Sequence, residues 1–358
     1  RRAAIQHALG SVSSYHTRLE QWKNGALSGK PKLVYENHAM PVFYRNVMYK
    51  PGEESEDAAC LKLYDGHDWK WFRTGLLHTD VEYLRRHWSG KKSSVPVLEK
   101  RHQKYFLRFS YTEEVTLSKT SVKDQLICSV DLGINTDAVC SIMRSDGTVL
   151  DRKFINFPSE KDRLSHVLGR IRRFQKEHGS KQIGSRWAYA KRLNTELARK
   201  TARSIAEYAH ENHADVIVFE YLEMKGKISG KKRQKLHLWK KREIQTMCEH
   251  KAHRYGIRVS RVCAWNTSRL AYDGSGPVSR DPKNHSLCVF QSGKHTGCDL
   301  SASYNIGARY WIREIIKTLP ETERSSLEAK VPAVKRRTSC VYADLLILQN
   351  EYGCSKAA

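Results

Sequence analysis

The segment Leu126-Ile127-Cys128-Ser129-Val130-Asp131-Leu132-Gly133-Ile134-Asn135 decides how the chain is organised. Its first half is a short apolar run that ends in a carboxylate, and its second half has the composition of a turn. Residues 138–143 predict a second strand, Ser145-Asp146-Gly147 a tight turn, and residues 149–157 a third strand. Consecutive strands joined by tight turns pair antiparallel. The sequence therefore predicts a three-stranded antiparallel sheet that starts at residue 126.

Helices and strands alternate after this sheet. The apolar spacing predicts helices from an N-cap at Ser159 and over 185–210, 243–255 and 302–317, with strands at 215–220 and 257–262. Three strands followed by helix, strand and helix is the order of an α/β RNase H-like fold. Upstream, residues 1–23 predict one amphipathic helix, and residues 33–120 are strand-like, with Tyr105 to Tyr111 as one alternating strand.

Three acids are distinguished by their position. Asp131 closes the first strand of the sheet, Glu220 closes a later strand, and Asp299 opens the helix over 302–317. In an RNase H-like fold the first and fourth strands are neighbours, which brings the two strand-end acids together, and the helix lays the third against them. Two Mg²⁺ ions roughly 3.5–4 Å apart stabilise both oxygens in phosphodiester hydrolysis, and Mg²⁺ takes hard oxygen ligands. A single acid at such a position is usually a turn cap or a solvated residue, so the prediction of a catalytic, magnesium-binding centre depends on all three.

Composition points to a polyanionic partner. The chain has 358 residues, a length that predicts two domains and a small insertion. Lys and Arg number 63 against 38 Asp and Glu, a formal net charge of +25. Nucleic acid and an anionic membrane are the alternatives, and the lack of a basic amphipathic anchor favours nucleic acid. No apolar run approaches the ~20 residues that span a bilayer, which excludes a membrane-spanning protein.

The cysteines and the first residues of the chain bear on the cellular compartment. Nine cysteines, an odd number, include no pair at C-x-x-C spacing, which favours a reducing compartment. There is no signal-peptide pattern. The chain opens Arg1-Arg2-Ala3 without a methionine, so we expect residues upstream.

Three segments resemble the RuvC-type nuclease of transposon-encoded TnpB proteins and of the compact type V CRISPR effectors. Ser129 to Asn135 is similar to the first RuvC motif, D-L-G-x-N, and Val218-Phe219-Glu220-Tyr221-Leu222 resembles the second. Asp299 to Ile306 resembles the third, D-x-N-A-A-x-N-I, and residues 244–257 resemble the segment before the family's insertion. Each motif is weak alone; their order and spacing over residues 125–310 carry the resemblance.

The resemblance implies an RNA-guided DNA endonuclease with Asp131, Glu220 and Asp299 as catalytic residues and Mg²⁺ ligands. It implies a guide RNA and target double-stranded DNA as partners and a bacterial or archaeal cytoplasmic protein, nucleoid-associated when bound to DNA. It also implies an N-terminal helical segment and a β-barrel-like nucleic-acid-binding domain beside the RuvC-like one. The expected divisions are a recognition-lobe-like segment (1–50), a wedge-like β domain (51–120), the first part of the nuclease domain (121–262), a degenerate zinc-ribbon-like insertion (263–298), the last nuclease helix (299–318) and a tail (319–358).

The family's four-cysteine zinc ribbon is eroded in this sequence. Ala271 and Gly274 stand at the first two cysteine positions, and Gln291 replaces the last cysteine of the second pair. Cys288 is left, with His285, His295 and Cys298 nearby at an unfamiliar spacing. Structural zinc requires four sulfur or imidazole ligands. We therefore expect the insertion to fold without zinc, and stoichiometric zinc in the purified protein would contradict this.

Basic tracts predict where nucleic acid binds. Residues 225–242 contain nine Lys or Arg and no acid, and directly follow the Glu220 strand. This tract predicts a substrate-facing lid, although such runs are commonly only solvated. A second tract along 170–203 predicts a heteroduplex channel, and Trp69 and Trp71 either stack bases or belong to an ordinary half-buried strand. The candidate nucleic-acid-binding residues are Lys225, Lys227, Lys231, Lys232, Arg233, Lys235, Trp239, Lys240, Lys241, Arg242, Arg172, Arg173, Trp69 and Trp71.

Two other functions fit parts of the sequence. A guided DNA-binding repressor would have lost one or more of the three acids, and all three motif positions retain theirs. An unguided nuclease or transposition accessory is distinguished by the RNA that co-purifies. The flanking DNA motif, the choice between a transposon and an immune role, and the oligomeric state are open at this level.

Overall fold

The structure is a computed structural model that describes residues 2–27, 29–33, 42–52, 57–101, 103–179, 183–221, 240–281, 284, 286–335 and 338–357. The chain divides into two compact units, residues 1–114 and residues 115–358. The finer domain boundaries expected from the sequence stay predictions. None of the helices in the described part of the chain has the length and apolar character that crossing a bilayer requires.

The described residues of the first unit form two helices and three small sheets. Its elements are α1 (Arg2–Lys23), β1 (Tyr49–Pro51), β2 (Ala58–Tyr64), β3 (Trp69–Gly75), α2 (His78–Trp88), β4 (Lys92–Ser93), β5 (Val97–Arg101), β6 (Lys104–Arg108) and β7 (Tyr111–Thr112). The sheets are β1-β2-β3, β4-β7 and β5-β6, all antiparallel. The helix expected over residues 1–23 is confirmed.

Two local predictions in this unit are wrong. The strand-like stretch 33–120 contains the helix α2, whose Val81, Leu84 and Trp88 recur at helical spacing and are half-buried, a signal that the sequence analysis missed. The single strand expected from Tyr105 to Tyr111 ends at Arg108 and resumes at Tyr111 as β7. Leu107 and Phe109 pack in the core of the unit, whereas Tyr105 is largely exposed.

The second unit alternates helices and strands. Its elements are β8 (Ile127–Asp131), β9 (Ala138–Met143), β10 (Val149–Ile155), α3 (Pro158–His178), α4 (Gly184–Glu211), β11 (Val216–Tyr221), α5 (Lys241–Arg254), β12 (Arg258–Cys263), β13 (Ser279–Arg280), β14 (Leu287–Val289), β15 (His295–Gly297), α6 (Cys298–Thr318), α7 (Glu321–Lys330), α8 (Pro332–Lys335) and α9 (Tyr342–Ala357). The helix α3 begins one residue before the expected N-cap Ser159, with Pro158 in its first turn and no side-chain cap. Proline suits this position because the first turn leaves its N–H groups unpaired anyway.

The main sheet has the strand order β10-β9-β8-β11-β12. β8, β9 and β10 pair antiparallel, and β11 is parallel to both β8 and β12. This mixed sheet, with its helices, is an RNase H-like fold and confirms the predicted fold class. All residues of β8 and β9 are buried, because helices cover both faces of the sheet. One face packs on α4 and α5, and the other on α6 with α7 and α9.

Small side chains let α6 approach the sheet closely. The hydroxyl of Ser303 lies 2.7 Å from that of Ser141 in β9. A Cβ atom on Gly307 would lie 3.0 Å from both the sulfur and the methyl carbon of Met143. Asp299 stands one turn before Ser303 on the same side of the helix. The packing of α6 on β8 and β9 thus fixes where Asp299 lies.

The variant Gly307→Leu tests this contact. We expect it to lower the free energy of unfolding by about 1–3 kcal/mol, because a larger side chain overpacks the interface. The control is Gly169→Leu in α3, whose Cβ would meet no atom within 4 Å. It should be neutral or stabilising by up to about 1 kcal/mol, because leucine favours helix more than glycine does. Equal unfolding curves in urea for the two variants would contradict the packing.

Candidate active site

The three acids predicted from the sequence lie on three elements that meet at one edge of the main sheet. Asp131 is the last residue of β8, Glu220 is the second-last of β11, and Asp299 lies in the first turn of α6. The last paired positions of β8 and β11 are Val130 and Phe219, so the next residues of these parallel strands are Asp131 and Glu220. Asp131 is 7% exposed and Glu220 is 8% exposed.

Electrostatics show that the three carboxylates are neighbours. Burial raises the pKa of Asp131 well above its usual value, and the charges of Glu220 and Asp299 raise it further, while Arg280 acts in the opposite direction. Burial likewise raises the pKa of Asp299, again opposed by Arg280. Within the described ranges, no group of three or more His, Cys, Asp or Glu side chains is spaced to hold a metal ion. The carboxylates therefore feel one another's charge without forming a closed set of ligands.

Glu220 is held by neighbours from two directions. The Thr267 hydroxyl donates a hydrogen bond to Oε1 of its carboxylate, and Nε2 of Gln245 donates to its backbone oxygen at 2.9 Å. Burial raises the pKa of Glu220, and the Thr267 hydroxyl, Arg309 and Lys241 lower it in turn. The side chain is thus fixed in direction and partly compensated in charge.

Steric crowding explains why glycine occupies position 133 in the first motif. A Cβ atom on Gly133 would lie 2.5 Å from the carbonyl oxygen of Thr136 and 3.4 Å from Oδ2 of Asp299. A distance of 2.5 Å is too short for any such contact, so only glycine fits this turn without a shift of the backbone. The turn after β8 can therefore pass close to the third carboxylate.

The sequence analysis missed Arg309, a buried guanidinium in α6. Its Nη1 donates to the carbonyl oxygens of Cys263 and Trp265 at 2.7 and 2.8 Å, and its Nε donates to that of Cys340 at 2.9 Å. Its Nη2 is buried without a hydrogen-bond partner. The arginine ties the end of β12 and the chain before α9 to α6, and its charge reaches Glu220. An arginine among the apolar residues of one helix face was the available signal.

Asn305 and Thr267 also have roles that the sequence analysis did not assign. The Asn305 side chain is fully buried; its Nδ2 donates to the carbonyl oxygens of Thr267 and Leu270, both at 2.9 Å. Its Oδ1 accepts from the backbone N–H of Tyr342 at 3.0 Å. Thr267 lies four residues before Ala271, at the start of the eroded insertion, and its hydroxyl orients a carboxylate of the site.

The eroded insertion is organised around a small apolar core. Ala271, Cys288, Phe290 and Cys298 are buried together, and Cys288 belongs to the central strand of the antiparallel sheet β13-β14-β15. Ala271, at a cysteine position of the family's ribbon, is one of these packed residues. The Cys288 thiol donates to the carbonyl oxygen of Thr296 at 3.5 Å. Of the other expected members, His295 begins β15 and His285 lies outside the described residues; folding without zinc stays a prediction.

The candidate nucleic-acid-binding residues fall into three groups. Those from Lys225 to Trp239 lie outside the described residues. At the start of α5, Lys240 donates to Thr195 Oγ1 at 2.6 Å, Lys241 is buried near Glu220, and Arg242 is exposed. The exposed candidates elsewhere are Arg172 and Arg173 on α3 and Trp69 and Trp71 on β3. Of the basic residues at the start of α5, Arg242 is the exposed one.

Comparisons with known proteins find structures that are similar in fold. A model of the Aq_aa04 family matches residues 1–65, and no curated protein sequence matches the chain. A cryo-EM structure of a Cas12f1–sgRNA–target DNA complex is similar at 18% identity and TM-score 0.40, over 80% of this chain and 74% of that one. The mini-RNA-guided endonuclease CRISPR-Cas_phi3 is similar at 15% identity and TM-score 0.46, over 79% of this chain and 63% of that one. RuvC of Thermus thermophilus is similar at 10% identity and TM-score 0.24, over 52% of this chain and 96% of that one.

The buried carboxylate of Asp131 predicts a pH dependence for the metal-free protein. Its pKa is raised in the folded state. Once the pH exceeds the unfolded pKa of roughly 3.9, the unfolded chain therefore loses a proton that the folded protein still holds. The stabilisation is complete below that unfolded pKa and is lost as the pH rises through the folded pKa. In urea unfolding with EDTA, we expect Asp131→Asn to reduce the loss of stability with rising pH.

The matched control is Asp162→Asn, an exposed acid on α3. It should keep the wild-type slope of stability against pH. Added Mg²⁺ should raise the melting temperature of wild type and of Asp162→Asn more than that of Asp131→Asn, because a ligand stabilises the state that binds it. Identical slopes of stability against pH for the two variants would show that burial and the charges of Glu220 and Asp299 do not raise the pKa of Asp131.

Proposed function

We propose that the protein is an RNA-guided DNA endonuclease of the cytoplasm of a bacterium or archaeon. Asp131, Glu220 and Asp299 would hold Mg²⁺, two ions in all, at the RNase H-like centre. The observation that carries the proposal is the burial of the Asp131 carboxylate beside two further carboxylates at the strand ends. Like charges that are buried together without a full complement of cations disfavour ionisation, as the raised pKa of Asp131 reflects.

The donor set fits Mg²⁺ by its chemistry. All three side chains offer hard carboxylate oxygens, and Mg²⁺ is usually held by a few carboxylates and several waters. When bound, the two Mg²⁺ ions would stabilise the negative charge on the attacking and departing oxygens of the phosphate. The residues of the chain supply the positions: the ends of β8 and β11 fix Asp131 and Glu220, and Thr267 sets the direction of Glu220.

Guidance by RNA is supported by the charge and by the motifs. A net charge of +25 favours a polyanionic partner, and the three RuvC-like motifs resemble those of RNA-guided nucleases. Exposed Arg172, Arg173 and Arg242 would contact phosphates, which gives affinity without sequence information. Pairing between the guide and the target strand would then supply most of the specificity. The basic tract 225–242 stays predicted as a substrate-facing lid.

The rival functions differ in what they require of these residues. A guided repressor without cleavage has no need of three acids at one buried edge, and the energetic cost of burying them speaks for the nuclease. An unguided nuclease would keep the acids and lack an RNA. Sequencing of the RNA that co-purifies distinguishes these cases: a discrete structured RNA supports guidance, and its absence favours the unguided nuclease.

The variant Asp131→Ala tests the catalytic centre. We expect cleavage of a guide-matched DNA duplex in Mg²⁺ to fall by about 10³-fold or more, because losing a metal ligand removes several kcal/mol of transition-state stabilisation. Binding of the guide RNA, measured by mobility shift, should be unchanged. The control Asp162→Ala should cut at the wild-type rate. Wild-type cleavage by Asp131→Ala would remove this residue from the centre.

A further inference from the structure

The sheet β1-β2-β3 of the first unit has two unlike faces. Residues directly opposite each other on paired strands share a face, and the register pairs Tyr49 with Leu61 and Leu61 with Phe72. Tyr49, Ala59 and Leu61 are buried in the core of the unit. This face packs against the core of the unit. The other residues of the three strands alternate with these and form the opposite face, which is called here the outer face.

The outer face combines large aromatic side chains with cations. The register pairs Lys50 with Cys60, Cys60 with Arg73, Lys62 with Trp71 and Tyr64 with Trp69. The members that concern recognition are Lys50, Lys62, Tyr64, Trp69, Trp71 and Arg73. Tyr64 is 56% exposed, Trp69 51% and Trp71 40%. No acidic residue occupies the outer face at the described strand positions.

The aromatic rings are held in place before any partner arrives. The Tyr64 and Trp69 rings lie 5.7 Å apart between centroids at 50°, and the Lys50 ammonium lies 5.1 Å from the centroid of Trp71. The turn between β2 and β3 is fixed by Asp65, whose Oδ1 accepts the backbone N–H groups of His67 and Asp68 at 2.9 and 2.8 Å. Such preorganisation reduces the entropic cost of binding.

Rings and cations on one face fit the two parts of a nucleotide. Bases stack on aromatic rings whatever their sequence, and lysine and arginine neutralise phosphates. A duplex offers few free base faces, because its bases stack on one another, whereas an unpaired strand offers every base. A protein partner would have to bring acidic groups to Lys50 and Lys62 as well as apolar surface. The combination favours nucleic acid with unpaired bases.

We propose that the outer face binds an unpaired stretch of nucleic acid. Bases stack on Trp69, Trp71 and Tyr64, and phosphates contact Lys50 and Lys62. The inference rests on the proposed function for its setting, because a guided nuclease presents single-stranded RNA and opened DNA. It adds a binding surface in the first unit that is separate in residues from the carboxylate centre.

The test measures binding without cleavage. Fluorescence anisotropy with the full chain in EDTA compares a labelled 12-nucleotide single-stranded RNA, the corresponding DNA and a duplex of the same sequence. We expect Trp71→Ala and Trp69→Ala each to weaken single-strand binding by about 5- to 100-fold, the effect of losing one stacked base. Trp71→Phe should restore most of the affinity, because it keeps a ring. The RNA and DNA arms identify which strand is preferred.

Two controls keep the result interpretable. Phe72→Ala changes an exposed aromatic on the same strand but on the opposite face, and should bind as wild type does. Lys50→Gln should lower the slope of log K against log salt by about 1, since one phosphate contact is lost. Thermal melts of all variants confirm that the unit remains folded.

The proposal is overturned if Trp69→Ala and Trp71→Ala bind single strands as tightly as wild type, or if they weaken duplex and single-strand binding equally. A protein partner for this face would give the first of these results. Failure of the proposed function looks different. Single-strand binding that depends on the tryptophans, in a protein that never cuts guide-matched DNA in Mg²⁺, would sink the nuclease and leave the outer face standing.

Discussion

The constraint that shapes this structure is the crowding of three carboxylates at one desolvated edge of a sheet. Burying the Asp131 carboxylate next to Glu220 and Asp299 costs free energy, whereas burying an apolar side chain does not. The surroundings reduce this cost with single contacts: the Thr267 hydroxyl on Glu220, and the charges of Arg309, Lys241 and Arg280. The compensation is incomplete, which supports the proposal that a divalent cation binds there.

The packing of the second unit fixes the positions of those carboxylates. β8 and β11 run parallel as buried neighbours, so their ends are fixed by the whole ladder of the sheet. α6 approaches through Ser303 and Gly307, and Arg309 and Asn305 then attach the chain around residues 263–270 and 340–342 to the same helix. A site carried by rigid elements in this way holds its side chains more precisely than a loop would.

The two units divide the chemistry. The second concentrates buried acids at one edge, and the first exposes aromatic rings and cations on the outer face of a small sheet. The same residue types that form a core elsewhere are left facing solvent there, with Trp69 and Trp71 on the side of β3 away from Leu61. Exposed tryptophans beside lysines on a fixed hairpin are costly for stability and useful for binding.

Sequence pattern alone predicted the order of the main elements from β8 to α6 and the three acids at strand and helix ends, because buried strands are apolar runs that Asp131 and Glu220 interrupt at or next to their last positions. It could not determine which side chains close around the acids. Thr267, Gln245 and Arg309 lie 25 or more residues from Glu220 along the chain and reach it only through tertiary packing. The sequence analysis also missed α2, whose apolar residues are only half-buried, and could not separate the outer face from the core face of β3. Periodicity reports what is buried on folding, whereas the partners of a polar group are set by distant segments that only the folded chain brings together.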